Sequence, residues 1–241
     1  MNRLFFQSSG GKISYLHRPG TKKLILIHGF TASSEIWEEV VKILDPSFEI
    51  ICIDLFGHGE SPIPDMHASP GGIGDMIKFQ CKAIVELMDH LGIHEYFLAG
   101  SSMGGWISME LSLYRKPEKA ILIDPAGVVP ISDGRFAEGL GNLFTEFTRE
   151  NENYSKILYE MVQSSKPEDF QISQDAIDRI DFPVFILWGE EDYILDPEFG
   201  KEFSKRIKDC RFELIKGGEH VPFRSHPKKV SDLMNQFLLN P

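Results

Sequence analysis

The chain has 241 residues, 42% of them hydrophobic, with 25 Lys plus Arg against 36 Asp plus Glu and a formal net charge of −11. That length holds a full core as one α/β domain or two small ones, burying roughly 70–75% of the surface the unfolded chain exposes. Cys52, Cys81 and Cys210 lack C-x-x-C spacing and suggest neither a disulfide framework nor a zinc site, and the negative charge argues against nucleic-acid binding.

The expected elements run in chain order as follows. Arg3 to Gln7 and Lys12 to His17 suggest an antiparallel edge hairpin turned by Gly10-Gly11. Lys22 to Ile27 and Phe48 to Ile53 are short, nearly continuous apolar runs, the signature of parallel strands covered on both faces. Asp75 to Leu91 spaces Met76, Phe79, Ala83 and Leu87 by three and four, which predicts a helix. Tyr96 to Ala99 is the next strand, Met103 to Tyr114 the next helix and Lys119 to Ile123 a further strand. From about 127 to 181 the pattern is helix-like, with Leu140, Phe144 and Phe147 on one stripe. Pro183 to Trp188 returns to strand, Asp196-Pro197 opens a helix, and Phe212 to Ile215 closes the series. Strand and helix alternate, so the expected architecture is an open parallel sheet wrapped by helices, with functional loops at the carboxyl ends of its strands. No stretch approaches the roughly 20 apolar residues of a membrane span, and Met1 to Phe6 lacks a signal-like apolar run. The expectation is a cytoplasmic protein, a monomer or a homodimer.

Gly100-Ser101-Ser102-Met103-Gly104 matches G-x-S-x-G between a strand and a helix. A sharp strand-to-helix turn exposes the central hydroxyl only if its neighbours lack bulk. Ser102 is therefore the candidate nucleophile, and not Ser101, which would put Ala99 and Met103 at the glycine positions. By composition alone the pattern arises in roughly one chain in ten, so the surrounding residues must carry the assignment. A serine needs a base to take its proton and an acid to orient that base. His220, in the glycine-rich Gly217 to Pro222 loop after the last strand, is the candidate base. Asp192, just past the strand ending at Trp188, is the candidate acid, with Asp124 as its competitor and Glu190 and Glu191 as solvated charges. The order Ser102, Asp192, His220 is the nucleophile–acid–base order of one of the triad folds. An oxyanion would need two backbone N–H donors, for which Met103 and Phe30, in His28-Gly29-Phe30-Thr31, are the candidates.

The segments HGF (28–30), DLFGHGES (54–61), GSSMGG (100–105), DPAG (124–127), WGEED (188–192) and GGEHVPF (217–223) together resemble the α/β-hydrolase superfamily, in particular its small cap-bearing esterase-like members. The resemblance spans nearly the whole chain. It implies a mostly parallel eight-stranded sheet with helices on both faces, a core of residues 1–126 and 182–241, and a helical cap over 127–181. It also implies Ser102, Asp192 and His220 as the triad and Phe30 and Met103 as oxyanion donors, while His58 and Ser61 belong to a turn that is normally structural. Related epoxide hydrolases and haloalkane dehalogenases carry Asp where this chain has Ser102, and proline iminopeptidases resemble HGGPG where it has HGFTAS. The expected function is hydrolysis of a small or medium carboxylic ester through an acyl-serine, without metal or organic cofactor. The alternatives are carbon–carbon hydrolysis of a diketone-type substrate and a triad-bearing small-molecule receptor. Phe30, Val128, Leu140, Phe144, Phe147, Ile194 and Val221 are the candidate substrate-lining residues.

Overall fold

A computed structural model of the protein describes residues 1–64, 72–128 and 170–240. Eight strands, β1 (Asn2–Ser8), β2 (Gly11–Arg18), β3 (Lys22–Ile27), β4 (Phe48–Ile53), β5 (Phe97–Ser101), β6 (Lys119–Ile123), β7 (Val184–Gly189) and β8 (Cys210–Ile215), form one sheet. Its order is β1-β2-β4-β3-β5-β6-β7-β8. β1 and β2 are antiparallel, β2 joins β4 antiparallel, and every pair from β4 across to β8 is parallel. This is the expected eight-stranded, mostly parallel architecture with an antiparallel hairpin at one edge.

The apolar runs do not alternate because both faces of the sheet are covered. Ile25, Ile27, Ile51, Ile53 and Leu98 face a core shared with α2 (Ile73–His90), α3 (Met103–Leu111) and α5 (Pro197–Ser204). Their neighbours Leu24, Leu26, Ile50, Cys52, Phe97 and Ala99 face a second core built with α1 (Glu38–Ile43) and α6 (Pro227–Leu239). Period-two side-chain alternation thus feeds two hydrophobic layers from one continuous run. α2 buries Ile77, Cys81, Ile84 and Met88, one stripe at helical spacing. α5 starts where Asp196 accepts the Glu198 amide at 3.0 Å and Pro197 occupies the first turn. α3 ends three residues short of the expected Tyr114. The amides of Leu113 and Tyr114 reach back to Glu110 and Leu111, so the chain tightens into a turn and leaves Tyr114 exposed.

Between β6 and β7 the chain leaves the sheet. Where it departs and returns, the Ile172 amide donates to the Gly127 carbonyl at 2.9 Å. The buried Glu110 carboxylate of α3 then accepts the Ser173 amide at 2.5 Å and the Ser173 hydroxyl at 2.9 Å, anchoring α4 (Gln174–Asp178). The two ends of the long connection therefore meet on the core. Among the described residues no helix is long and apolar enough to cross a membrane.

Candidate active site

Ser102 joins β5 to α3 with φ 53° and ψ −120°, a left-handed conformation that is costly for a residue with a side chain. Its neighbours explain how the turn is held. A Cβ on Gly100 would fall on the Gly104 carbonyl and the Ser108 hydroxyl, and one on Gly104 would fall on the Ile27 and His28 carbonyls. The Ser102 amide donates to the Ile123 carbonyl at 2.9 Å, while its own carbonyl accepts the amides of Gly105 and Ala126. The glycines of G-x-S-x-G are thus required by backbone packed against backbone, and the ends of β3, β5 and β6 over-determine the strained residue. Ser101, by contrast, is a buried strand residue.

His220 Nε2 lies 3.0 Å from Ser102 Oγ, and His220 Nδ1 lies 2.8 Å from Asp192 Oδ2. Because a carboxylate only accepts, Nδ1 carries the hydrogen and Nε2 presents its lone pair to the serine hydroxyl. Asp192 is itself fixed, its Oδ1 accepting the amides of Ile194 at 2.8 Å and Leu195 at 2.9 Å. The turns after β7 and β8 are tied together by the Glu190 amide on the Ile215 carbonyl and the Glu191 amide on the Gly218 carbonyl. Gly189 makes that approach possible, since a Cβ there would collide with the Glu219 carbonyl. Residues 118 and 28 positions apart in sequence meet in one hydrogen-bonded line.

The loop after β3 lies alongside. A Cβ on Gly29 would stand 3.0 Å from the Ser102 Cβ. The Leu55 amide donates to His28 Nε2 at 3.1 Å, which leaves the hydrogen on Nδ1, and that hydrogen is donated to the Gly29 carbonyl at 2.7 Å. In a trans peptide the carbonyl and the following N–H point in opposite directions, so the Phe30 amide faces away from His28. Met103 opens α3, ahead of its internal hydrogen-bond ladder. The Phe30 ring meets His58 edge-on at 5.8 Å, and His58 stands 5.1 Å from His28. Burial pushes His28 down to about 4 and His58 down to about 3, so both rings are neutral supports. Ser61 donates to the Asp54 carbonyl and accepts the Ser14 amide, a structural role.

The remaining sequence candidates fall as follows. Ile194 is buried beside Asp192, Val221 is half-buried after His220, and Val128 is half-buried with Trp106 on the wall of a cavity of about 430 Å³. Leu140, Phe144 and Phe147 lie outside the described residues. Among the described residues no group of three or more His, Cys, Asp or Glu could hold a metal ion.

The model of the alpha/beta hydrolase family matches residues 24–233. The chain belongs to that family. Its eight-stranded, mostly parallel sheet wrapped by helices is that family's fold. Among similar hydrolases, human monoacylglycerol lipase ABHD6 is 25% identical over 274 residues, covering 93% of this chain and 78% of that protein. A pimeloyl-[acyl-carrier protein] methyl ester esterase of Neisseria meningitidis serogroup B (strain MC58) is 24% identical over 255 residues, covering 90% and 93%. Among solved structures, a thermophilic esterase from Thermogutta terrifontis superimposes with a TM-score of 0.72 at 22% identity over 99% of this chain and 98% of that one. A bacterial membrane phospholipase A does so with 0.79 at 21% identity over 98% and 85%. At these identities the structural matches establish the fold.

Sequence reasoning placed Ser102, His220, Asp192, Phe30 and Met103 at one end of the sheet, where the structure also has them. His28, beside a glycine just beyond a strand, reads from sequence as a turn support, and in the structure it orients the Gly29 peptide. Only the Leu55 contact assigns its tautomer.

Proposed function

We propose that the protein is a serine hydrolase of carboxylic esters, with Ser102 as nucleophile, His220 as base and Asp192 as its orienting acid. The observation that carries this is the continuous hydrogen-bonded line from Ser102 Oγ through His220 to Asp192, starting from a serine held at positive φ. Oγ attacks the ester carbonyl while His220 Nε2 takes its proton, forming the C–O bond to serine and placing the negative charge on the carbonyl oxygen. The Phe30 and Met103 amides receive that charge. Collapse breaks the bond to the alcohol, which leaves with the proton from His220. Water, deprotonated by the same imidazole, then releases the acid and regenerates Ser102. Asp192 remains ionised throughout and stabilises the imidazolium. No metal or organic cofactor enters these steps.

Ester cleavage is favoured over carbon–carbon hydrolysis and over a receptor role because relatives along most of the chain are named for ester substrates, an acylglycerol and a methyl ester. In this reading the core comprises residues 1–126 and 182–241 and a cap is inserted over 127–181; the Gly127–Ile172 hydrogen bond supports an insertion there, while Ser173 and α4 pack back on the core. We assign Phe30, Val128, Ile194 and Val221 to an apolar site for a small or medium neutral acyl group, and the same assignment of Leu140, Phe144 and Phe147 rests on the sequence pattern alone. A net charge of −11 disfavours strongly anionic substrates.

The test is covalent labelling by a fluorophosphonate together with hydrolysis of p-nitrophenyl esters of increasing chain length. Wild type should label and turn over short esters fastest. Ser102→Ala should abolish labelling and lower kcat by about five orders of magnitude. Folded wild-type protein that neither labels nor hydrolyses any ester would overturn the enzyme reading, and faster cleavage of dienolic diketones than of esters would move it to carbon–carbon chemistry.

A further inference from the structure

Behind Asp192 stands a second carboxyl group that the ester mechanism does not use. Asp124 terminates β6, next to the end of β7 from which Asp192 projects, and it is fully buried with φ 45°. Its amide donates to the Leu187 carbonyl at 3.0 Å, and its Oδ1 accepts the Gly189 amide at 2.7 Å. Its Oδ2 is buried without a formed hydrogen bond. No Lys or Arg pairs with it among the described residues, and the charged group it meets is the Asp192 carboxylate. Asp192 in turn accepts three N–H groups, from Ile194, Leu195 and His220. The ionisable side chains converging here are therefore Asp124, Asp192 and His220, from the ends of β6, β7 and β8.

We propose that Asp124 is a positioning residue whose carboxyl group, carrying its hydrogen on Oδ2, donates to the Asp192 carboxylate and holds it in line with His220. The inference rests on the Ser102–His220–Asp192 reading given above. Two adjacent carboxylates in a dry site repel, and one proton between them converts that repulsion into a charge-assisted hydrogen bond. The distribution of donors decides which group keeps it. Three N–H donors stabilise the anion on Asp192, whereas Asp124 has one and no cation. The hydrogen goes to Oδ2 because Oδ1 already faces the Gly189 amide. Complete burial, and then the neighbouring Asp192 charge, push Asp124 well above the usual carboxylate range. The contact stops short of full hydrogen-bond geometry, and protonation is what makes it attractive. Strain at φ 45° is consistent with a side chain aimed for this contact, not for strand continuity.

A shared proton predicts two behaviours that a merely structural aspartate lacks. Donation to Asp192 withdraws part of the charge that stabilises the His220 imidazolium, so loss of the donor should move the acid limb of kcat/KM to higher pH. An amide at position 124 should restore the arrangement, accepting from Gly189 through Oδ1 and donating to Asp192 through Nδ2. Asp124→Asn is expected to lower kcat about threefold with the acid limb nearly in place. Asp124→Leu should lower it about thirtyfold and shift that limb up by about half a pH unit. Equal pH profiles in both variants, or a downward shift in Asp124→Asn, which would reveal the loss of a real charge, overturn the proposal.

A spectroscopic measurement does not depend on Asp124→Leu folding. At neutral pH the infrared difference between wild type and Asp124→Asn should contain the C=O stretch of a protonated carboxylic acid belonging to wild type. Its absence overturns the proposal. This readout is independent of turnover, so an inactive protein that still shows the band would remove the ester reading while leaving the protonated Asp124 in place.

Discussion

Asp54 and Asp124 are both completely buried just past the ends of parallel strands, on opposite sides of Ser102, yet the protein drives them in opposite directions. Burial raises both. At Asp54 it is outweighed by the Ser34 amide at 2.6 Å and the Glu60 amide at 3.2 Å, and the carboxyl ends below its usual range. Arg3 supplies a cation 2.6 Å from Oδ2. At Asp124 one amide stands against burial and a neighbouring carboxylate, and the carboxyl ends well above its usual range. Burial alone therefore does not decide ionisation. What decides it is how many donors the surrounding loops aim at the oxygens. The Asp54 side ties β1, the turn at Ser34 and the loop at Glu60 together, whereas the Asp124 side abuts Asp192, the hydrogen-bond partner of His220.

The widest gap between the two sites should appear on substitution of Asp54. Asp54→Ala leaves Arg3 and two amides without their shared acceptor and should cost about 4 kcal/mol in urea denaturation. A loss under 1 kcal/mol would erase the contrast. Acid should attack the same side of the molecule. His28 and His58 are lowered to about 4 and about 3, so the stability they contribute is complete above about pH 6.5 and is lost as pH falls toward those values. Each ring should cost about 3 kcal/mol by pH 4. Denaturation midpoints followed from pH 7 to pH 4 test this, and His58→Gln should flatten the curve.

Gly59→Ala is the next smaller effect. Gly59 sits at φ +52° and a Cβ there would lie 2.5 Å from the Asp54 carboxyl carbon, so about 2 kcal/mol should be lost. The loss should shrink in an Asp54→Ala background, where part of the collision is gone, which a double-mutant cycle can measure. Smallest is Asp124→Asn, expected within about 1 kcal/mol of wild type at neutral pH. The sign of its pH dependence is the sharper observation. Asp124 is raised in the folded protein, so its contribution is fully present below about pH 4 and is lost as pH rises. Asparagine does not titrate, and melting temperatures compared from pH 4 to pH 8 should move in favour of the variant. Parallel curves would place Asp124 with Asp54 as an ionised group.

Much of this molecule was legible in residue pattern. Apolar runs such as Lys22 to Ile27 identify strands buried on both faces, because only a doubly covered strand dispenses with alternation. G-x-S-x-G at a strand-to-helix junction marks Ser102, since only glycine fits where Gly100 and Gly104 meet opposing carbonyls. Strand-end position brought forward His220 and Asp192, and with them Asp124 as a competing acid. The sequence also ranked Asp124 below Asp192 as the acid, and the hydrogen bond from His220 goes to Asp192.

The composition that argues against nucleic-acid binding says nothing about which of 36 acidic residues bear charge inside the protein. That was decided by tertiary structure alone. The donors on Asp54 come from positions 3, 34 and 60, and the group opposing ionisation of Asp124 comes from position 192. Local sequence determines where a strand ends and which side chain follows it. Protonation depends on distances among loops far apart in the chain, and those distances exist only once the parallel sheet has brought its strand ends together.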